Sequence, residues 1–246
     1  MSAYFKEIAY CPTPIGVVSL RRRRILSLDQ DVFEILLDDE HLMSSLFITS
    51  EIALANLALA ELEGNELDIV VGGLGLGYTA RAVLDHDTVG SLTVVEMLEP
   101  VVAWHEDGLL PLEPGLAEDP RCKFVCGDFF SLAQSAEGFD RKKPGRRYHA
   151  ILIDIDHTPE RLLDQRSQNF YSPEGYDRLA NHLHPGGIVG LWSDEEPDEA
   201  ITNVLGQSFS EAWAAPVVFA NPLQDNRPVT QTVYLARKAG KTPMDQ

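Results

Sequence analysis

The sequence predicts an α/β fold: a doubly wound, mostly parallel sheet closed by an antiparallel C-terminal hairpin and preceded by a short N-terminal β-meander. Three observations carry this. From residue 67 onward, apolar β-branched runs alternate with helix-forming stretches, the pattern of strands covered on both faces by crossover helices. The run Ile69-Val-Val71 leads into glycines at Gly73, Gly75 and Gly77, where bare backbone can turn tightly and approach a ligand. The last two apolar runs, 216–220 and 231–238, flank a polar turn region over 221–228 and read as a hairpin.

Taken in order, residues 4–39 are extended, with Ile8–Tyr10, a Pro-Thr-Pro-Ile-Gly turn, Val17–Leu28 interrupted by arginines, and Val32–Leu37. They form the meander, assigned to residues 1–45, and residues 46–246 form the larger Rossmann-like domain. A helix is expected over about 50–62, with Ile52, Ala55, Leu59 and Leu62 as its apolar stripe and Gly64 as its stop. Core strands follow over 68–71, 91–96, 122–126, 148–154 and 187–192. Helices are expected after Tyr78, after Glu99, around 171–183 and near 198–207.

Composition bounds the function. A chain of 246 residues, 44% hydrophobic and 24% charged, builds one substantial core with at most a small appendage. No apolar run approaches a membrane span, and the opening Met-Ser-Ala-Tyr-Phe-Lys-Glu lacks a secretory layout, so the cytoplasm is expected. A formal charge of −18 argues against nucleic acid or anionic membrane as partners and favours cationic ligands. The basic runs Arg21–Arg24 and 141–147 read as solvated edge-strand and loop charges, with phosphate or an acidic partner as the other reading. Cys11, Cys122 and Cys126 are too few for a disulfide framework and lack a second pair for zinc. Buried reduced thiols and no metal site are expected.

Ligands of open parallel sheets sit beyond the carboxyl ends of the strands, and here those ends are acidic. The first strand ends in the glycines, whose Gly-x-Gly-x-Gly spacing differs from the dinucleotide fingerprint and suits an S-adenosylmethionine-type nucleotide. The second ends in Glu96, where an acid takes ribose hydroxyls. Asp128 follows the third and could accept a hydrogen bond from an adenine amine. The fourth ends in Asp154-Ile-Asp-His-Thr-Pro159, and the fifth runs into 193–199 with Asp194. Strand alternation would turn Asp154 and Asp156 toward one cleft, where two carboxylates call for a cation. Asp156 could instead cap the following turn, His157 could be a proton acceptor or plain polar surface, and 194–199 could be a helix N-terminus.

The segments Val70–Leu84, Val95-Glu96, Gly127-Asp128, Tyr148–Asp154, Phe170-Tyr171 and Leu183–Ile188 together resemble the spermidine synthases, the polyamine aminopropyltransferases, over about residues 65–195. The resemblance implies the class I methyltransferase fold, to which the C-terminal hairpin also points, and a homo-oligomer. It implies that Gly73, Gly75 and Gly77 line the nucleotide, Glu96 binds its ribose and Asp128 its adenine. Asp154 would orient and deprotonate the attacking amine. Apart from the resemblance, the acidic strand ends themselves make Asp156, His157 and Asp194 the candidates for holding the cationic acceptor. Departures accompany the match. The acid of the family's Gly-Gly-Gly-Asp-Gly-Gly loop falls on Leu76, its Tyr-His-Glu on Met43-Ser44-Ser45, and its Asp-Ser-Ser-Asp-Pro on Asp154–Pro159.

The expected reaction is transfer of an aminopropyl group to an amine from decarboxylated S-adenosylmethionine, a co-substrate rather than a tightly bound cofactor. Methyl transfer from S-adenosylmethionine to a small molecule, or nucleotide binding without catalysis, are the alternatives. Either transfer is displacement at a carbon next to a sulfonium, so the protein must supply alignment and a neutral nucleophile. An alkyl amine with a pKa near ~10.4 is mostly protonated at neutral pH and needs a carboxylate to take its proton.

Overall fold

The computed structural model describes residues 4–240. Four antiparallel strands come first, β1 (Phe5–Thr13), β2 (Gly16–Ile25), β3 (Gln30–Leu37) and β4 (Glu40–Ser44), paired in that order. The fourth lies past the expected end of the extended pattern, returning from β3 through a tight turn at Asp38, whose φ is +50°. Alternate residues of β2 and β3, Val18, Leu20, Ile35 and Leu37, enter a core shared with the second sheet. The arginines expected at an edge sit instead on an inner strand, opposite acids of β3 and its turn. Arg21 and Arg23 bond Glu34 at 2.8 and 2.7 Å, and Arg24 pairs with Asp29 and Asp31. From the second basic run, Arg146 bonds Asp68 at 2.7 Å.

The second sheet has seven strands: β5 (Leu67–Gly72), β6 (Val89–Glu96), β7 (Cys122–Cys126), β8 (Tyr148–Ile153), β9 (Leu183–Ser193), β10 (Glu211–Asn221) and β11 (Arg227–Arg237). Their order is β10-β11-β9-β8-β5-β6-β7. The five consecutive strands β9, β8, β5, β6 and β7 are parallel, and the β10–β11 hairpin adds antiparallel to β9, as the sequence predicts. Period two divides the sheet between two cores. Ile69, Val71, Ala150, Leu152, Val233 and Leu235 pack on one face. Val70, Ile151, Ile153, Val189, Leu191 and Tyr234 pack on the other. Both sets being apolar is why these strands read as unbroken hydrophobic runs.

Helices α1 (Thr49–Ala60), α2 (Tyr78–Leu84), α3 (Glu99–Glu106), α4 (Phe129–Gln134), α5 (Pro173–Ala180) and α6 (Glu199–Ser208) fill the crossovers. Two of them depart from expectation. The face α1 buries is Ser50, Glu51, Leu54, Ala55, Ala58 and Leu59, rotated from the stripe through Ile52, and Leu62 lies beyond the helix end. The short α4 was not anticipated, and Asp128 caps it by accepting from the Phe130 N–H. The thiols are free but, against expectation, none is fully buried: Cys11 and Cys122 are half-buried and Cys126 is exposed. Burial pushes the Cys122 thiol up to about 12, leaving it protonated and unreactive. Among the described residues no helix is long and apolar enough to cross a membrane.

Candidate active site

The strand order reverses between β5 and β8, and there the carboxyl ends of the two strands touch. The Asp154 N–H donates to the Gly72 carbonyl at 2.9 Å. A Cβ on Gly73, whose φ is +89°, would stand 2.0 Å from the Asp154 carbonyl oxygen. Only glycine therefore lets the loop leave β5 while β8 delivers Asp154 beside it. A cavity of about 290 Å³ opens at this point. One end is walled by Glu96, Leu98, Val101, Asp128 and Phe130, and the other by Ile35, Leu42 and Met43 of the first sheet, with Gly73, Gly75, Glu51 and Asp154 also lining it. Topological switch points hold ligands because the flanking crossovers diverge and leave a crevice.

The glycine loop divides its duties. Gly73 and Gly75 line the cavity; Gly77 does not. Gly77 starts α2 with φ +91°, and a Cβ there would meet the His105 ring at 2.6 Å and Leu116 at 2.9 Å. His105 reaches back to the Gly75 carbonyl at 2.9 Å through Nε2. Burial drives its pKa down to about 4, so the neutral ring holds the loop by donating that proton. Leu76 is fully buried in the core, so an acid at that position would not face the cavity. The neighbouring loop position that does line the cavity is Gly75, half-buried, and the Met43 sulfur lies 2.6 Å from where its Cβ would be. Met43 thus occupies the place of a loop side chain, and the Leu76 N–H lies 2.8 Å from its sulfur. Replacing Gly77 with Val is expected to destabilise the fold by about 2–4 kcal/mol, combining left-handed strain with overpacking. Urea unfolding checks this, and native stability with lost nucleoside binding would place the ligand at Gly77 after all.

Glu96 spans the loop and the next crossover. It accepts from Leu74 N–H at 2.9 Å and Leu98 N–H at 2.8 Å, one on each carboxylate oxygen. Burial raises its pKa, and these backbone donors oppose the rise. Asp128 accepts from Phe130 N–H at 3.1 Å and from the Ser131 hydroxyl while also facing the cavity.

Asp154 faces a partner that the sequence reading missed. Its Oδ2 accepts from the Thr79 hydroxyl at 2.5 Å, and desolvation raises its pKa to about 6. Glu51 of α1, 7% exposed, lines the same cavity. Its pKa rises to about 8, through burial first and the charge of Asp154 second. Its polar side-chain contact is the Ser50 hydroxyl at 2.8 Å, which also reaches Gln231 at 2.5 Å. Among the described residues neither carboxylate forms an ion pair. At neutral pH the two hold one proton between them and present about one negative charge to the cavity. Two desolvated acids with no cationic side chain beside them attract positive charge or protons.

Asp154 and Asp156 both line the cavity, as expected, but no contact joins their carboxylates. The strand ends at Ile153, so alternation no longer applies at 156. Asp156, 3% exposed, instead ties its loop together by accepting from Leu163 N–H at 2.7 Å and Tyr171 hydroxyl at 2.8 Å. His157 reaches the cavity wall between Glu40 of the first sheet and Asp194, 3.5 Å from each. Asp194 lies behind it, outside the cavity lining, paired with Arg161, and its N–H bonds the His157 carbonyl.

Fold and site together define a class I methyltransferase-like α/β domain, with a carboxylate pair where its sheet changes direction. A family model described as the spermine/spermidine synthase domain matches residues 47–207, and the chain belongs to that family. It is 27% identical over 150 residues to polyamine aminopropyltransferase 2 of Pseudomonas aeruginosa, covering 58% of this chain and 40% of that protein. It is 29% identical over 122 residues to a polyamine aminopropyltransferase of Pyrobaculum islandicum, covering 50% and 39%. The chain thus spans about two fifths of the length of these relatives. Spermidine synthase from Thermotoga maritima superposes with a TM-score of 0.67 at 15% identity, over 96% of this chain and 74% of that one.

Proposed function

We propose that this chain transfers an aminopropyl group from decarboxylated S-adenosylmethionine to an amine. The observation that carries the reading is the buried Glu51–Asp154 pair, unpaired with any cation, on the wall of a cavity at the switch point of a spermidine-synthase-family sheet. Glu96 would bind ribose hydroxyls with the lone pairs its backbone donors leave free, and Asp128 the adenine amine, with Leu98, Val101 and Phe130 giving the base an apolar bed. Gly73 and Gly75 line the cavity, and the nucleoside would lie along this loop with the sulfonium toward Asp154.

In the reaction the amine nitrogen bonds to the methylene beside the sulfonium. The carbon–sulfur bond breaks with its electron pair going to sulfur, and methylthioadenosine leaves as a neutral thioether. The attacking ammonium first gives its proton to the carboxylate pair, where Asp154 is placed to receive it while Thr79 fixes its orientation. Desolvation at this wall favours the neutral amine.

Glu96→Ala is expected to weaken methylthioadenosine binding by about 1.5–3 kcal/mol, the range for hydrogen bonds to a charged group. Unchanged affinity in a folded variant would remove Glu96 from the ribose. The donor is tested by calorimetric binding of S-adenosylmethionine, its decarboxylated form and methylthioadenosine side by side. Preference for the decarboxylated donor is expected. Preference for the intact one would select methyl transfer, and binding without turnover of any amine would select a non-catalytic protein.

A further inference from the structure

We propose that the acceptor is an amine carrying a single positive charge on an apolar body, in preference to a diamine. This rests on the aminopropyl-transfer reading and narrows it to a substrate class. The cavity beyond the Glu51–Asp154 pair is walled by Ile15, Ile35, Leu37, Leu42 and Met43 of the first sheet and by Trp192 at the end of β9. None of these carries a charge, and an ammonium placed among them would lose its hydration without a counter-ion.

The other acids that line the cavity are committed elsewhere. Glu96 holds Leu74 and Leu98, Asp128 caps α4, Asp156 ties down Leu163 and Tyr171, and Asp164 is paired with Arg166. At the rim Glu40 faces His157, while Asp194 and Glu195 face Arg161. The loop place next to the pair is filled by the Met43 thioether rather than a carboxylate. One pair of acids sharing one proton matches one ammonium, and the apolar wall matches a hydrocarbon or aromatic remainder.

The test is competition in one vessel. The protein is given decarboxylated S-adenosylmethionine with equimolar 1,4-diaminobutane, n-hexylamine and 2-phenylethylamine, and the aminopropylated products are resolved by mass spectrometry. At least one monoamine is expected to outrun the diamine by tenfold or more. Preferential use of the diamine would overturn the substrate class and leave aminopropyl transfer standing. No product from any amine would count against both, so acceptor binding is also measured without turnover, by calorimetry on protein saturated with methylthioadenosine. Tighter binding of the diamine there overturns the class whatever the chemistry. Leu42→Glu, which adds a carboxylate to the apolar wall at a half-buried position, is expected to move the preference toward the diamine, and an unmoved preference would place the amine's tail elsewhere.

Discussion

Asp154→Asn is expected to lower turnover by about 10²–10⁴-fold, the usual contribution of a positioned base, with methylthioadenosine affinity unchanged. The substitution keeps shape and the Thr79 hydroxyl contact while removing the lone-pair basicity that takes the ammonium proton. It also removes the charge that helps raise Glu51, so the variant should be no less stable than the parent. Steady-state release of methylthioadenosine together with nucleoside calorimetry checks this. Full turnover in Asp154→Asn would assign the proton to Glu51 or to solvent. Loss of nucleoside binding in parallel with turnover would make Asp154 part of the binding wall rather than the base.

The second large effect is on stability against pH. Glu51 titrates near its ordinary value of 4.5 when unfolded and at about 8 when folded. Between these values the folded chain holds a proton that the unfolded chain has lost, so stability falls as pH rises, by about 1.4 kcal/mol per pH unit for each such proton. Asp154 adds in the same direction between its ordinary 3.8 and about 6. The ligand-free protein is therefore expected to be markedly more stable at pH 5 than at pH 8. Glu51→Gln, neutral at every pH, should flatten that slope and stabilise the protein at pH 8. Chemical denaturation at a series of pH values measures both. A parent whose stability rises from pH 5 to 8, or a Glu51→Gln variant with the parent's slope, would mean that Glu51 is not held protonated by burial.

The parallel sheet and its acidic strand ends were legible because fully buried strands read as apolar runs and because backbone collisions leave few choices where they end. Gly73 is the clearest case, since the Asp154 carbonyl excludes any side chain there. Glu51 was not legible. Helix α1 is apolar on nearly every side, with Ile52, Ala53 and Leu57 half-buried against the same core as Leu54 and Leu59. Periodicity therefore could not choose its inner face, and nothing in the pattern singled out Glu51, the one acid on that face. Asp156 does reach the cavity wall, but through a loop held by Leu163 and Tyr171 rather than through strand alternation, since the strand ends at Ile153. Asp128 shows that one carboxylate can serve twice, capping α4 through Phe130 while facing the cavity. A helix of six residues leaves too short a pattern to reveal its start.

The proposed role of the Glu51–Asp154 wall is to serve aminopropyl transfer. The most direct test incubates the protein with decarboxylated S-adenosylmethionine and an amine, and counts methylthioadenosine and aminopropylated amine in the same sample, for the parent and for Asp154→Asn. The two products are expected to appear one for one in the parent and to fall together in the variant. Methylthioadenosine without aminopropylated amine, a methylated product formed from S-adenosylmethionine instead, or no product while the nucleoside binds would contradict it.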